Sequence, residues 1–149
     1  MLFRSVVVPG GFGTRSAMHD RDLTDLIADW HTTSTWTTSV CTGALLLGAA
    51  GLLRGLSATT HWSAVELLES TGAHYVPDRV VEHDRIMTGA GVSAGIDMAL
   101  TLASRLCGDD EAQTIQLAIE YDPQPPFDAG SVAKAGPRTV ERLRRRARR

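Results

Sequence analysis

The residue best placed for chemistry is Cys41, in Ser39-Val40-Cys41-Thr42-Gly43-Ala44. A β-branched run, Thr35 to Val40, stops at this cysteine, and an apolar helical run, Ala44 to Ala50, begins just after it. A side chain on a sharp strand-to-helix turn is pushed out above the sheet, where a nucleophile can meet a substrate. The start of a helix supplies partial positive charge and unpaired N–H groups, which favour the thiolate form of a cysteine. Free cysteines are also among the most buried residues in proteins. From spacing alone, a reactive thiol and a buried structural cysteine therefore stand level. Cys107 ends a long helical run beside Gly108 and reads as a structural or idle thiol. The five histidines, His19, His31, His61, His74 and His83, show no pairing at metal-ligand spacing, so no metal site is expected.

The elements that must position Cys41 are legible from the apolar pattern. Val6-Val7-Val8 is a continuous apolar run that suits a strand buried on both faces of a parallel sheet. It ends at the loop Pro9-Gly10-Gly11-Phe12-Gly13. Asp20 or Asp22 can cap a helix with Leu23, Leu26, Ile27 and Trp30 at helical spacing. The strand to Val40 follows, then the turn, then a helix expected to run to a glycine C-cap near Gly55. Ala58 to His61 reads as a short strand, Ser63 to Ser70 as a helix, and Arg79 to Glu82 with Asp84 to Thr88 as two strands tightly joined. Helices are expected from Ser93 to Leu106 and from Asp109 to Tyr121, and Pro123 to Asp128 as an extended segment. Strands alternating with helices predict an α/β layer fold with a mainly parallel sheet. Ligands in such folds sit beyond the carboxyl ends of the strands. The Pro9 to Gly13 loop and the Cys41 turn both lie there, and that convergence favours the reactive thiol.

Composition narrows the function classes. A hydrophobic content of 43% and a charged content of 21% over 149 residues are ordinary for one globular domain. Two cysteines without framework spacing point to a reducing, cytoplasmic setting rather than a disulfide-stapled secreted fold. No transmembrane segment and no signal peptide are visible, since the run from Ala44 to Leu53 is broken by glycines and followed by Arg54. The net charge of −2 divides into +6 for residues 138–149 and −8 for the remainder. An acidic body with a basic end does not look like a nucleic-acid-binding domain. The arginine-rich end reads as a solvated, frayed helix.

Val7-Val8-Pro9-Gly10-Gly11, Val40-Cys41-Thr42-Gly43-Ala44, Gly51-Leu52-Leu53-Arg54-Gly55, Ala58-Thr59-Thr60-His61-Trp62 and Gly91-Val92-Ser93-Ala94-Gly95-Ile96-Asp97 together resemble the ThiJ/PfpI superfamily. The likeness covers about residues 6–127 and is strongest to the isocyanide hydratase branch. It implies a flavodoxin-like three-layer sandwich and a partial domain over residues 1–128, followed by a basic tail over residues 129–149. It implies that Cys41 is the nucleophile and that the backbone N–H groups of Thr42 and Gly11 meet charge developing on the substrate. A glycine at 11 then serves close approach of backbone to the reacting atom. The Thr42 hydroxyl would bond the substrate or the thiolate, or satisfy its own helix start.

The implied reaction is addition of water to an isocyanide, giving an N-substituted formamide without metal or organic cofactor. The implied partners are a small-molecule substrate and a second copy of the chain in a homodimer, with no nucleic acid and no membrane. The alternatives are a ligand-sensing domain like those of AraC-type transcription regulators, and a deglycase or glyoxalase-type stress enzyme. Thr42 stands where peptidase members carry a histidine, which argues against a peptidase. His61 can supply a base, or pack as a strand-end histidine on Trp62. Asp97 can orient His61, or complement the dipole at its helix start. Superfamily members begin with a strand–helix–strand unit carrying an acid that handles the cysteine's proton. Here no Asp or Glu precedes Asp20, so the chain reads as lacking that unit, with low stability and weak activity as the consequence.

Overall fold

The structure is a computed structural model that describes residues 5–147. Met1 to Arg4, and Arg148 and Arg149 of the arginine-rich end, lie outside the described residues. The chain divides into two compact units, one through Ile115 and one from Gln116 onward.

The first unit opens with β1 (Ser5–Val8), a short α1 (Thr14–Ala17) and α2 (Arg21–Thr33). Asp20 caps α2 by accepting the Leu23 N–H at 3.2 Å. Next come β2 (Trp36–Val40), a 3₁₀ turn over Cys41–Gly43, and α3 (Ala44–Ala49). β3 (Ser57–Ala58), a second 3₁₀ turn over Trp62–Ala64, α4 (Val65–Ser70) and β4 (His74–Tyr75) follow. The unit continues through β5 (Val80–His83), β6 (Ile86–Gly89) and α5 (Ala94–Cys107), and α6 (Asp109–Ala118) begins at its end.

The main sheet has the order β1-β2-β6-β5. β1 and β6 flank β2 in parallel, with Val8 opposite Ser39 and Val40 opposite Gly89. β5 joins antiparallel to β6 through a tight turn at Asp84, whose φ is 53°. β3 and β4 form a separate parallel pair. Side chains alternate across a strand, so neighbours Ile86 and Met87 face opposite layers. Ile86 joins Val6, Val8, Ile27, Leu45, Leu47, Leu53 and Leu68 under α2, α3 and α4. Met87 joins Met98 and Leu102 of α5 on the other face. The result is helix, sheet and helix in three layers, as expected. Each fully buried aliphatic side chain, such as Leu45 or Leu47, contributes about 1.5–3 kcal/mol.

Three details of this frame differ from the sequence expectations and bear on the site. The helix after Cys41 ends at Ala49 rather than near Gly55, because the chain turns through Gly51 (φ 79°) and Gly55 (φ 74°) while keeping Leu53 buried. The strand expected over Ala58 to His61 stops at Ala58, because the following threonines bond across the fold. The Thr59 N–H donates to Thr88 Oγ1 at 3.0 Å, and the Thr60 hydroxyl donates to the Cys41 carbonyl at 2.9 Å. Val7 is 53% exposed, against 9% for Val6 and 6% for Val8, so β1 is covered on one face only.

In the second unit, residues 123–125 have no regular secondary structure and residues 126–128 bend, so the segment is outside any helix, as the prolines require, but not extended throughout. α7 (Val132–Ala147) carries a kink at Gly136, with φ 72°, just before Pro137. None of its described residues is buried, and Arg145 pairs with Glu141 one turn away at 2.9 Å.

Candidate active site

Cys41 sits at the carboxyl end of β2 with φ of 58°, in the left-handed region. A non-glycine residue held there is strained by roughly 1–3 kcal/mol and persists only where its surroundings enforce it. Two contacts do so. Thr60 bonds the Cys41 carbonyl, and the loop after β1 is pressed against the turn. A Cβ on Gly10 would stand 2.8 Å from both Cys41 Cβ and the Thr42 nitrogen. A Cβ on Gly43 would stand 2.2 Å from the Val8 carbonyl oxygen. Gly10 and Gly43 thus make the close protein contacts of the turn, while a Cβ on Gly11 would meet no protein atom within 4 Å.

Gly11 and Thr42 do meet, but each occupies the other. The Thr42 hydroxyl donates to the Gly11 carbonyl at 3.0 Å and accepts from the Gly11 N–H at 2.9 Å. A hydroxyl has one hydrogen and two lone pairs, so both bonds form at once. This clasp fixes the β1 loop on the cysteine turn. In this arrangement the Gly11 N–H donates to Thr42 Oγ1, and one lone pair of the Thr42 hydroxyl stays available. Replacing Thr42 with valine keeps the shape and removes both bonds. The expected result is a loss of about 1–3 kcal/mol in urea unfolding, measured against the parent chain.

The half-buried Cys41 opens on a cavity of about 540 Å³. Val7, Pro9, Phe12, Val40 and Val92 form its apolar wall, and Arg15, Thr42, His61 and Ser63 its polar part. His61 thus shares the cavity with Cys41, and its ring also lies 5.5 Å from that of Trp62, tilted by 38°. Asp97 is placed elsewhere: it pairs with Arg79 at 2.5 Å in the first turn of α5 and does not line the cavity. The charged group acting on His61 is Arg15 instead. Arg15, Ser63, Phe12 and Val92 were not anticipated. They come from loops and a one-turn helix that carry no periodic signal, though Arg15 follows closely on the Pro9 to Gly13 loop.

Burial, and then the charge of Arg15, hold the His61 imidazole below its ordinary pKa. His31 is shifted the same way by burial and then Arg85, with Asp84 opposing, and its Nδ1 lies 2.8 Å from Thr37 Oγ1. Both groups favour the neutral ring in the folded state. Their stabilising contribution is complete above the unfolded value of about 6.5 and is lost as pH falls through the folded values. Thermal melts between pH 7.5 and 5 are expected to show this decline. A His31→Gln/His61→Gln double variant is expected to flatten it, and an unchanged slope would refute the assignment. Among the described residues, no group of three or more His, Cys, Asp or Glu is placed to hold a metal ion. No helix among them is long and apolar enough to cross a membrane.

Known proteins share this fold. Residues 2–105 match the DJ-1/PfpI family. The isonitrile hydratase of Pseudomonas putida is 50% identical over 142 residues, which is 95% of this chain and 62% of that protein. The Arabidopsis thaliana protein DJ-1 homolog A is 29% identical over 83% of this chain and 32% of its own length. A crystal structure of a ThiJ/PfpI family protein from Pseudomonas syringae superposes with a TM-score of 0.88 at 42% identity. That match covers 96% of this chain and 59% of the other. The chain thus spans about three fifths of the length of the hydratase it resembles. The family match over residues 2–105 and the 50% identity to the hydratase carry the conclusion: the chain belongs to the DJ-1/PfpI family.

Proposed function

We propose that the chain is a cysteine-dependent hydratase acting on isocyanides. The observation that carries this reading is the 50% identity to isonitrile hydratase across 95% of the chain. Its support in the site is a strained cysteine opening on a cavity whose wall is mostly apolar, suited to the hydrocarbon part of such a substrate. In the proposed reaction the Cys41 thiolate attacks the terminal carbon, a C–S bond forms, and that carbon takes a proton to give a thioimidate. Water then adds to the same carbon, the thiol leaves, and the N-substituted formamide is released. The Thr42 backbone N–H, at the start of the helical turn, is the proposed donor to charge that develops during attack.

No carboxylate lines the cavity among its described residues, so the proton donor is not assigned to one of them. In this proposal Cys41 is the catalytic residue, Thr42 both catalytic and positioning, and Gly11 the holder of Thr42. The proposal includes a homodimer in a reducing, cytoplasmic setting. Both cysteines are free, and Leu117 and Phe127, 81% and 80% exposed, offer apolar surface to a second copy. Incubation with cyclohexyl isocyanide, following formamide release, tests the activity. Formamide from the parent chain above the Cys41→Ala level supports it, even at low rate, and equal release from both overturns it. Light scattering tests the dimer.

A further inference from the structure

The polar end of the Cys41 cavity is arranged in one direction. Arg15 Nη2 donates to Ser63 Oγ at 3.2 Å. That oxygen lies 2.8 Å from His61 Nδ1, and the Ser63 N–H donates to the same Nδ1 at 3.3 Å. A ring nitrogen that accepts from an N–H carries no proton itself. Because Ser63 Oγ already accepts from Arg15, its own hydrogen is available to Nδ1 as well. The neutral His61 ring therefore holds its proton on Nε2. What this end of the cavity has left to offer a ligand is hydrogen-bond donors: the Nε2–H and the remaining N–H groups of Arg15.

The charge is also unbalanced. Arg15 is half-buried, and among the described residues no carboxylate forms an ion pair with it. Every described ion pair in the first unit engages a different cation, Arg79 or Arg105. Val7, Phe12 and Val92 complete the surroundings and bring no negative charge. A planar guanidinium with free donors beside a neutral imidazole N–H matches a carboxylate, which accepts in a plane through two oxygens.

We propose that Arg15, with His61 held by Ser63, forms an anion subsite of the Cys41 cavity, so that the thiol serves small electrophiles carrying a carboxylate. Within the hydratase reading this means that isocyanides bearing a carboxylate react in preference to neutral ones of equal size. The inference rests on Cys41 being the reactive thiol of this cavity, but not on isocyanide hydration itself.

Alkylation of Cys41 by iodoacetate and by the neutral iodoacetamide tests it, with the Cys41 peptide followed by mass spectrometry so that the exposed Cys107 does not contribute. Any effect of Arg15 on the thiol alone changes both rates alike, and measuring the ratio at high salt removes long-range attraction of the anion, leaving the part due to a bonded subsite. The iodoacetate-to-iodoacetamide ratio is expected to fall about fivefold in Arg15→Gln and to be largely kept in Arg15→Lys, as charge-assisted bonding at a partly exposed site predicts. A ratio equal in parent and Arg15→Gln overturns the proposal. A readout independent of thiol reactivity is the NMR resonance of the His61 ring on titration with propionate. A saturable shift in the parent, weakened in Arg15→Gln, supports the subsite, and the absence of a saturable shift overturns it. Charge discrimination without formamide production would refute the hydratase reading alone, and formamide production without discrimination would refute the subsite alone.

Discussion

Under the proposed hydratase reading, replacing Cys41 with alanine is expected to bring formamide production down to the uncatalysed background, a loss of about a thousandfold where the parent is fully active. Residual activity within tenfold of the parent chain would remove the thiol from the mechanism. A companion variant, Cys41→Gly, separates chemistry from backbone strain. Glycine ordinarily costs about 0.5–1 kcal/mol relative to alanine inside a folded element, because it loses more freedom on folding. At Cys41 the order is expected to reverse, since φ is 58° and alanine keeps a steric penalty that glycine lacks. The expected result is that Cys41→Gly is at least as stable as Cys41→Ala in urea unfolding, with both variants inactive. An alanine variant more stable by about 1 kcal/mol, the ordinary helix-interior difference, would show that the turn carries no strain.

The second large effect is expected at Gly43, which packs the cysteine turn against the end of β1. An alanine methyl there would lie 2.2 Å from the Val8 carbonyl oxygen and 2.9 Å from that of Pro9. Both neighbours are backbone, so neither can move aside by changing rotamer. Overpacking of this kind costs about 1–3 kcal/mol and more where backbone must shift. Gly43→Ala is expected to lose about 3 kcal/mol, or roughly 10 °C in melting temperature for a unit of this size. Gly13→Ala is the matched control. Gly13 has φ −68°, already helical, and a Cβ there meets nothing within 4 Å, so this variant is expected to be neutral or slightly stabilised. Equal melting temperatures for the two variants would refute the packing argument.

The contrast between these glycines marks how much was legible in the sequence. Val6-Val7-Val8 and the run to Val40 disclosed two parallel strands, because continuous apolar and β-branched residues have few other uses. The abrupt change of pattern at Cys41 disclosed the turn. Which glycine of Pro9-Gly10-Gly11 touches the turn was not legible, because that depends on the spatial meeting of two loops. The pairing of Asp97 with Arg79 escaped for the same reason: it joins a helix start to a residue before β5, and neither position has a periodic signal. Arg15 and Ser63 show the limit most clearly. Each is an unremarkable polar residue in its own segment, and only the fold brings Arg15 to Ser63 and Ser63 to His61 Nδ1. The antiparallel sense of β5 was legible only as a tight connection, which two strands can make in no other way.

The parallel pairing on both sides of β2 also bears on how the chain reaches this state. Residues 9–35 intervene between β1 and β2, and residues 41–85 between β2 and β6, so neither pair can zip from a local hairpin. Closing loops of this length precedes any reward from the contacts they bring, which makes such topologies slow to fold. The surroundings of Cys41 draw on the segments near residues 10, 42 and 60, and they exist only once those closures are complete. The thiol is therefore a clock for the last stage of folding. In a refolding experiment, its environment should mature no earlier than the sheet, and a partly folded chain should hold an ordinary cysteine.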